Sequence, residues 1–236
     1  MRYWLVMPAA GAGRRFGSVK QFASLNQRTV LEVALQPFAD DPECVGGSIV
    51  LAATESRRAQ LLARLPARFE CVDGGSERAH SVSNGLAALA GRAAPEDWVL
   101  VHDAARPCLS VADLARLLTG GEESGQGALL AVPVADTVKQ AQARSQGEPV
   151  HCATTLSRES LWLAQTPQMF RLGALRAALE QARTLARVPT DEAQAMEWQG
   201  VRARLIEARD ANIKVTGAAD LLLAQAILRM REEGLR

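Results

Sequence analysis

A glycine-rich segment near the start of the chain, MPAAGAGRRFGSVKQF (7–22), carries residue types that bind phosphate. Gly11, Gly13 and Gly17 follow a short apolar run, and a turn of this kind lets backbone N–H groups approach phosphate oxygens closely. Their spacing, G-x-G-x-x-x-G, matches neither the dinucleotide fingerprint nor the P-loop. The glycines therefore predict an anion-binding site but do not indicate which nucleotide binds there.

Three cations, Arg14, Arg15 and Lys20, accompany these glycines. A dinucleotide site relies mainly on backbone groups and a helix dipole to hold its diphosphate. A reacting triphosphate develops negative charge on the leaving pyrophosphate, which fixed cations stabilise. The segment therefore favours phosphoryl or nucleotidyl transfer over redox chemistry.

A second candidate, VLVHDAARP (99–107), is an apolar run that ends in Asp103 and Arg106. Ligands of open α/β sheets bind outside the carboxyl ends of the strands, and a carboxylate there can hold the Mg²⁺ of a nucleoside triphosphate. We expect Asp103 to lie near the metal and the phosphates. The alternative is a turn-forming aspartate beside a surface arginine.

A third candidate, DGGSERAHSVSNGL (73–86), places Gly74 and Gly75 after a predicted strand. Two glycines permit a base or ribose to approach the backbone, and the Ser81 hydroxyl can hydrogen-bond to a base edge. A plain turn explains the glycine pair equally well. Two single cations, Arg158 in TLSRESLW and Lys214 in NIKVT, receive no role from the residues alone.

Six short apolar runs predict the strands that position these residues: 3–7, 47–52, 69–74, 97–102, 128–134 and 203–208. Runs of this length are typical of strands buried on both faces of a parallel sheet. Segments with helical spacing lie between them, with Ser56 and Ser110 as predicted N-caps and Gly91 and Gly120 as predicted helix ends. The alternation predicts a doubly wound, mostly parallel α/β sheet.

The composition excludes several classes of protein. The 236 residues suffice for one domain with a large core, and 27 basic against 26 acidic residues leave a net charge of +1, so no global field attracts nucleic acid or an anionic membrane. The four cysteines and three histidines lack the spacing of a zinc site or disulfide framework. Because the N-terminal apolar run is too short for a signal peptide or membrane span, we expect a soluble cytoplasmic protein.

Residues 136–160, DTVKQAQARSQGEPVHCATTLSRES, interrupt the alternation. The segment has a Gly-Glu-Pro turn between two possible strands but too little apolar content for a core. We interpret it as a β-arm that projects from a single domain spanning 1–236. The alternative is a long surface loop.

The motifs PAAGAGRRF, DGGSERAHSV, VHDAARP, DTVK, QTPQMF, TDEA and DNIKVT occur in an order that resembles one family. It comprises the cytidylyltransferases that make 4-diphosphocytidyl-2-C-methylerythritol from CTP in the non-mevalonate isoprenoid pathway. The resemblance runs from the first predicted strand to the last helix. It implies a Rossmann-like nucleotidyltransferase sheet with a protruding β-arm, a homodimer joined through the arms, and catalysis with Mg²⁺ or another divalent cation.

The resemblance also assigns roles to individual residues. Arg15 and Lys20 are implied to stabilise the transition state at the α-phosphate, and Arg158 and Lys214 are implied to position the methylerythritol phosphate. Those implied to bind CTP are Pro8, Ala9, Ala10, Gly11, Gly13, Gly74, Gly75, Ser81, Asp103 and Ala104. Those implied on the acceptor side are Asp103, Arg106, Thr137 and Thr166, with Asp103 also near Mg²⁺.

Three alternatives to this function stay open on the sequence. An enzyme of the same fold that transfers CMP to ribitol 5-phosphate would use the same nucleotide segment. A nicotinamide-dependent oxidoreductase would use an acidic residue after the second strand, where Glu55 lies, although the glycine spacing and cations argue against it. A non-catalytic nucleotide sensor would have no use for four separate cations.

Overall fold

The computed structural model describes residues 1–11, 19–143 and 147–234. Its strands are β1 (Tyr3–Pro8), β2 (Ser24–Leu25), β3 (Arg28–Thr29), β4 (Cys44–Leu51), β5 (Phe69–Asp73), β6 (Trp98–Val101), β7 (Ala128–Pro133), β8 (Val138–Ala141), β9 (Cys152–Leu156), β10 (Trp162–Arg171) and β11 (Arg204–Glu207). Its helices are α1 (Val30–Ala39), α2 (Arg58–Leu62), α3 (Arg78–Ala88), α4 (Val111–Ser124), α5 (Leu172–Thr184), α6 (Glu192–Glu197) and α7 (Ala218–Glu232), with a 3-10 turn at Lys20–Phe22.

The central sheet has seven strands in the order β11-β7-β10-β6-β1-β4-β5. The pairs β1–β4, β1–β6, β4–β5 and β7–β11 are parallel, whereas β10 runs antiparallel to both of its neighbours, β6 and β7. All six predicted strands lie in this sheet. The prediction of a mostly parallel α/β sheet is confirmed.

The core has two layers because alternate side chains of each strand point to opposite faces of the sheet. In β1, Tyr3, Leu5 and Met7 pack with residues of α1, α2 and α4 on one face. Trp4 and Val6 pack with α3, α5 and α6 on the other. This arrangement explains why the predicted strands are continuously apolar.

Two of the predicted helix boundaries, those at Ser56 and Gly120, are wrong. Ser110 caps α4 as predicted, accepting a hydrogen bond from the Asp113 backbone N–H. Gly120 does not end α4, which continues to Ser124 and stops at the left-handed Gly125, with φ 68°. The N-cap residue of α2 is Arg57 and not Ser56, and the Arg57 side chain makes no capping hydrogen bond.

Strand β10 was not predicted, and its composition explains why. Its buried half includes the polar residues Thr166 and Gln168, which break the apolar run by which its neighbours were recognised. The register with β7 shifts between Ala164 and Gln168, so the regular pairing of the two strands is interrupted there.

Strands β8 and β9 form a separate antiparallel hairpin within the segment 136–160. All residues of β9 and all but the first of β8 are exposed. The two predicted strands are present, on either side of the predicted turn.

Among the described residues, none of the helices has the length and apolar character needed to cross a membrane.

Candidate active site

A cavity of about 540 Å³ opens at the carboxyl ends of β1, β5 and β6. This is the edge at which ligands bind in open α/β sheets. The predicted site residues that line it are Pro8, Ala9, Ala10, Gly11, Lys20, Gly75, Ser81, Asp103, Ala104 and Lys214. Sequence segments that are far apart along the chain thus contribute to one pocket.

Gln21 holds the first part of the glycine-rich segment in place. Its buried Nε2 atom donates to the Ala9 carbonyl at 2.5 Å and to the Gly11 carbonyl at 3.0 Å. The Ala9 N–H in turn donates to the Val50 carbonyl at 2.7 Å. Gln21 was not predicted, because its burial and its two carbonyl partners arise only in the folded chain.

The predicted residues Gly13 and Arg15, together with Arg14 and Gly17, lie outside the described residues. Lys20 follows this gap and lines the cavity from the first residue of the 3-10 turn. The predicted role of Arg15 stays a prediction.

Close packing requires glycine at two positions beside the cavity. A Cβ atom on Gly74 would lie 2.3 Å from the Ala10 Cβ, and one on Gly75 would lie 2.3 Å from the His80 Cβ. The Ser81 hydroxyl accepts a hydrogen bond from the Gly75 N–H at 3.1 Å and donates to the Glu77 carbonyl at 3.2 Å. Ser81 therefore supports the turn, and its proton is already committed to Glu77.

Asp103 is the carboxylate at the centre of the pocket wall and is 7% exposed. Its Oδ1 accepts from Arg78 Nε at 3.0 Å, and its Oδ2 accepts from Lys214 Nζ at 2.6 Å. Burial opposes ionisation of this carboxyl, but the charges of Arg78 and then Lys214 outweigh it and hold the Asp103 pKa below its ordinary value. Asp103 is thus a fixed anion at neutral pH.

Arg78 connects Asp103 to a second buried carboxylate, that of Glu192. Its Nη1 and Nη2 donate to Glu192 Oε1 and Oε2 at 2.6 and 3.0 Å. Burial favours the neutral form of Arg78, but Glu192 and then Asp103 reverse this and raise its pKa. Neither Arg78 nor Glu192 was singled out from the sequence, although both lie in quoted motifs, DGGSERAHSV and TDEA.

His102 and Thr166 support the backbone of Asp103. His102 is fully buried, with Nε2 3.1 Å from the Arg106 carbonyl and Nδ1 3.2 Å from Thr166 Oγ1. Because a carbonyl only accepts, we assign the proton to Nε2, which leaves Nδ1 to accept from the Thr166 hydroxyl. Thr166 Oγ1 in turn accepts from the Asp103 N–H at 3.0 Å. Burial lowers the pKa of His102 to about 4, so its ring is neutral at pH 7.

Two further predicted residues, Arg106 and Lys214, occupy different surroundings. Arg106 is half-buried and donates from Nη1 to the Asn212 carbonyl at 2.8 Å. The buried Asn212 donates from Nδ2 to the Thr166 carbonyl at 2.8 Å, which ties the NIKVT segment to β10. Lys214 extends from that segment into the cavity.

Thr137 and Arg158 do not line this cavity. Both are exposed and flank the β8–β9 hairpin, and Arg158 Nη1 donates to the Ala135 carbonyl. The residue of the oxidoreductase alternative, Glu55, is also outside the cavity lining and forms an ion pair with Arg57 at 2.6 Å.

The pocket offers few oxygen ligands for a divalent cation. Its lining carboxylates are Asp103 and the exposed Glu77, and the described part of the chain has no cluster of three or more potential metal-ligating side chains. Mg²⁺ in nucleotide sites commonly takes one or two carboxylates and completes its shell with phosphate oxygens and water. Because both Asp103 oxygens already accept from Arg78 or Lys214, the residues fit only a cation that arrives with a triphosphate and takes most of its ligands from it.

Comparisons with known proteins agree over almost the whole chain. Residues 3–230 match the family model described as 2-C-methyl-D-erythritol 4-phosphate cytidylyltransferase. A protein of that name from Acidithiobacillus ferrooxidans is 51% identical over 98% of both chains, and one from Halorhodospira halophila is 46% identical over 96% of this chain and 94% of its own.

Solved structures extend the similarity to the fold. The crystal structure of the enzyme of this name from Francisella tularensis superposes with a TM-score of 0.80 at 34% identity, over 96% of this chain and 100% of that chain. The one from Thermus thermophilus gives 0.76 at 31% identity, over 97% and 100%. The chain belongs to the 2-C-methyl-D-erythritol 4-phosphate cytidylyltransferase family.

Proposed function

We propose that this protein transfers CMP from CTP to 2-C-methyl-D-erythritol 4-phosphate, giving 4-diphosphocytidyl-2-C-methyl-D-erythritol and pyrophosphate for isoprenoid precursor synthesis. The observation that carries this is the pocket in which Lys20 and Lys214 meet the glycine-rich end of β1 and the Asp103 carboxylate. Such a pocket suits two anionic substrates. Membership of the family identifies them.

The reaction is an in-line displacement at the α-phosphorus of CTP. An oxygen of the acceptor's phosphate forms the new P–O bond, the bond to the β-phosphate breaks, and pyrophosphate leaves with the electron pair. A phosphate monoester is already ionised near neutral pH, so no side chain has to remove a proton. The enzyme's task is to position two polyanions and offset their repulsion.

The described residues divide this task between them. Lys20, with Arg15 as its predicted partner, stabilises the charge that develops at the transferring group. Lys214 holds the acceptor's phosphate. The backbone from Pro8 to Gly11, together with Gly75 and the Ala104 segment, contacts the nucleotide. A divalent cation held by the triphosphate and by Asp103 Oδ2, which accepts from Lys214 through one of its two lone pairs, would supply further charge neutralisation.

We extend the proposal to a homodimer in which the β8–β9 hairpin of one copy completes the pocket of the other. Two observations support this. Thr137 and Arg158 are absent from the cavity lining of their own chain, and the exposed hairpin is a two-stranded unit of a kind that is marginal without further contacts. We also propose that the enzyme acts in the cytoplasm, where its substrate CTP is made.

Mixing inactive variants tests this exchange. Lys20→Ala and Arg158→Ala proteins are unfolded together, refolded, and assayed. If the hairpin acts in trans, each mixed dimer has one intact site, so random mixing restores roughly one quarter of the wild-type activity. No recovery, or a monomer by sedimentation, contradicts the exchange.

A pyrophosphate-release assay tests the reaction itself. The protein is supplied with CTP, UTP, ATP or GTP, each with 2-C-methyl-D-erythritol 4-phosphate or ribitol 5-phosphate and Mg²⁺. We expect rapid release only with CTP and the methylerythritol phosphate. Faster turnover of ribitol phosphate would establish the alternative acceptor, and NAD(H) binding without CTP binding would contradict the whole proposal.

A further inference from the structure

We propose that Glu192 and Arg78 form a positioning pair that fixes the Asp103 carboxylate for Lys214, and thereby sets the affinity of the site for the acceptor's phosphate. This inference rests on the function proposed above. Glu192 is 1% exposed and does not line the cavity, so it acts through Arg78 and not on the substrate.

Arg78 has enough hydrogen-bond donors to bind both carboxylates. A guanidinium has five N–H donors. Two adjacent edges of this one face carboxylates: Nη1 and Nη2 bind Glu192 in a fork, and Nε with Nη2 lies 3.0 Å from Asp103 Oδ1. Although Arg78 borders the cavity, most of its donors are already engaged within the protein. It therefore braces Asp103 and is not a further phosphate ligand.

The charges of the four linked side chains balance. Arg78 and Lys214 supply two positive charges, and Asp103 and Glu192 supply two negative charges, all joined by contacts of 2.6–3.0 Å. Glu192 therefore balances Arg78. This balance leaves Asp103 Oδ2 to Lys214 while Oδ1 is held by the arginine.

Glu192 is anchored to the central sheet through the start of α6. It is the first residue of α6, whose N-cap is Asp191. The buried Gln168 side chain of β10 donates to Asp191 Oδ2 at 2.9 Å and accepts from the Ala193 N–H at 2.8 Å. The start of α6 is thus fastened to the strand that also carries Thr166.

Neutralising Glu192 should redistribute these contacts. In Glu192→Gln, Arg78 keeps its charge and loses its ionic partner, so it turns towards Asp103, the other carboxylate within reach. Arg78 and Lys214 then compete for one carboxylate. Lys214 loses the geometry with which it receives the acceptor's phosphate.

The chain offers a direct spectroscopic test because it contains only three lysines, Lys20, Lys139 and Lys214. In protein labelled with ¹³C-lysine, the ε-methylene signals are assigned by single substitutions. We expect Glu192→Gln to shift the Lys214 signal and to leave that of Lys139 unchanged. A Lys214 signal that does not move would overturn the proposal, and this result does not depend on any enzymatic activity.

Kinetics supply the second readout, in a cycle with Asp103→Asn. We expect Glu192→Gln to raise KM for the acceptor about tenfold, with less effect on kcat, and to raise it less than about twofold when Asp103 is already Asn. Glu197→Gln, at the exposed end of the same helix, is the matched control and should leave KM unchanged. An equal increase in both backgrounds would indicate a general structural role and contradict the pairing.

A second variant covers the case in which Glu192→Gln does not fold. Arg78→Lys keeps the charge but cannot form the fork, because an ammonium is a point charge. The same Lys214 shift and the same rise in KM are expected, and their absence contradicts the proposal. A wild-type protein without CMP transfer refutes the proposed function alone, since the Lys214 signal tests the pair separately.

Discussion

As the pH falls, this protein should lose stability at a higher pH than its carboxylates alone predict, because His102 is buried in its neutral form. Its pKa falls from an ordinary value near 6.5 to about 4 in the folded state. Between these values the unfolded chain binds the extra proton, so stability is full above about pH 6.5 and is lost as pH falls towards 4. At 1.36 kcal/mol per pKa unit, the expected loss is about 2 kcal/mol at pH 5 and about 3 kcal/mol at pH 4.

Urea unfolding measured every half unit from pH 7.5 to pH 4 gives this loss directly. Carboxylates with lowered pKa values, such as Glu32 and Asp103, lose their contribution near and below the lower end of this range. The His102→Gln variant retains these carboxylates, so subtracting its curve from that of the wild type isolates the histidine. A difference curve that is flat from pH 6.5 to pH 4 would refute the assignment of a neutral, buried His102.

Three further substitutions have definite expected outcomes. Lys20→Ala should lower kcat by about 10²–10³ while the urea midpoint stays near that of the wild type, and near-native pyrophosphate release would refute its role. Gly74→Ala should raise KM for CTP and cost about 1–3 kcal/mol of unfolding free energy, because its Cβ would lie 2.3 Å from that of Ala10. Gln21→Ala removes the side-chain donor of the Ala9 and Gly11 carbonyls. We therefore expect the free energy of unfolding to fall by about 1–3 kcal/mol and CTP to bind more weakly in calorimetry. Unchanged CTP affinity in Gly74→Ala or Gln21→Ala would contradict the proposal that the native residue positions the backbone that binds CTP.

Most of the sheet was predictable because its strands are buried on both faces and their apolar runs are therefore uninterrupted. β10 departs from this rule, since Thr166 and Gln168 serve the site and the start of α6 at the expense of the apolar pattern. The prediction that Gly120 ends a helix was wrong because tertiary packing, and not helix termination, requires glycine there. Gly120 lies inside α4 because a side chain there would collide with Ile206 of β11, where a Cβ would come within 2.3 Å.

The site was predictable where local sequence carries the chemistry and not where distant residues meet. The glycines, Lys20 and Asp103 stand out within short segments that follow strands. The contact between Arg78 and Glu192 joins residues 114 positions apart, and no local pattern reports it. Lys214 received its role from family resemblance, since a single lysine has no distinguishing pattern of its own.

The interruption in β10 divides that strand into two halves with different expected lifetimes of their backbone hydrogen bonds. Thr166 to Phe170 are buried, whereas Trp162 to Ala164 are exposed and lead back to the β8–β9 hairpin. Amide exchange should be slow in the buried, C-terminal half and faster in the exposed, N-terminal half, because local opening needs less free energy where few buried contacts are lost. The hairpin can therefore fluctuate while the residues around Asp103 keep their positions.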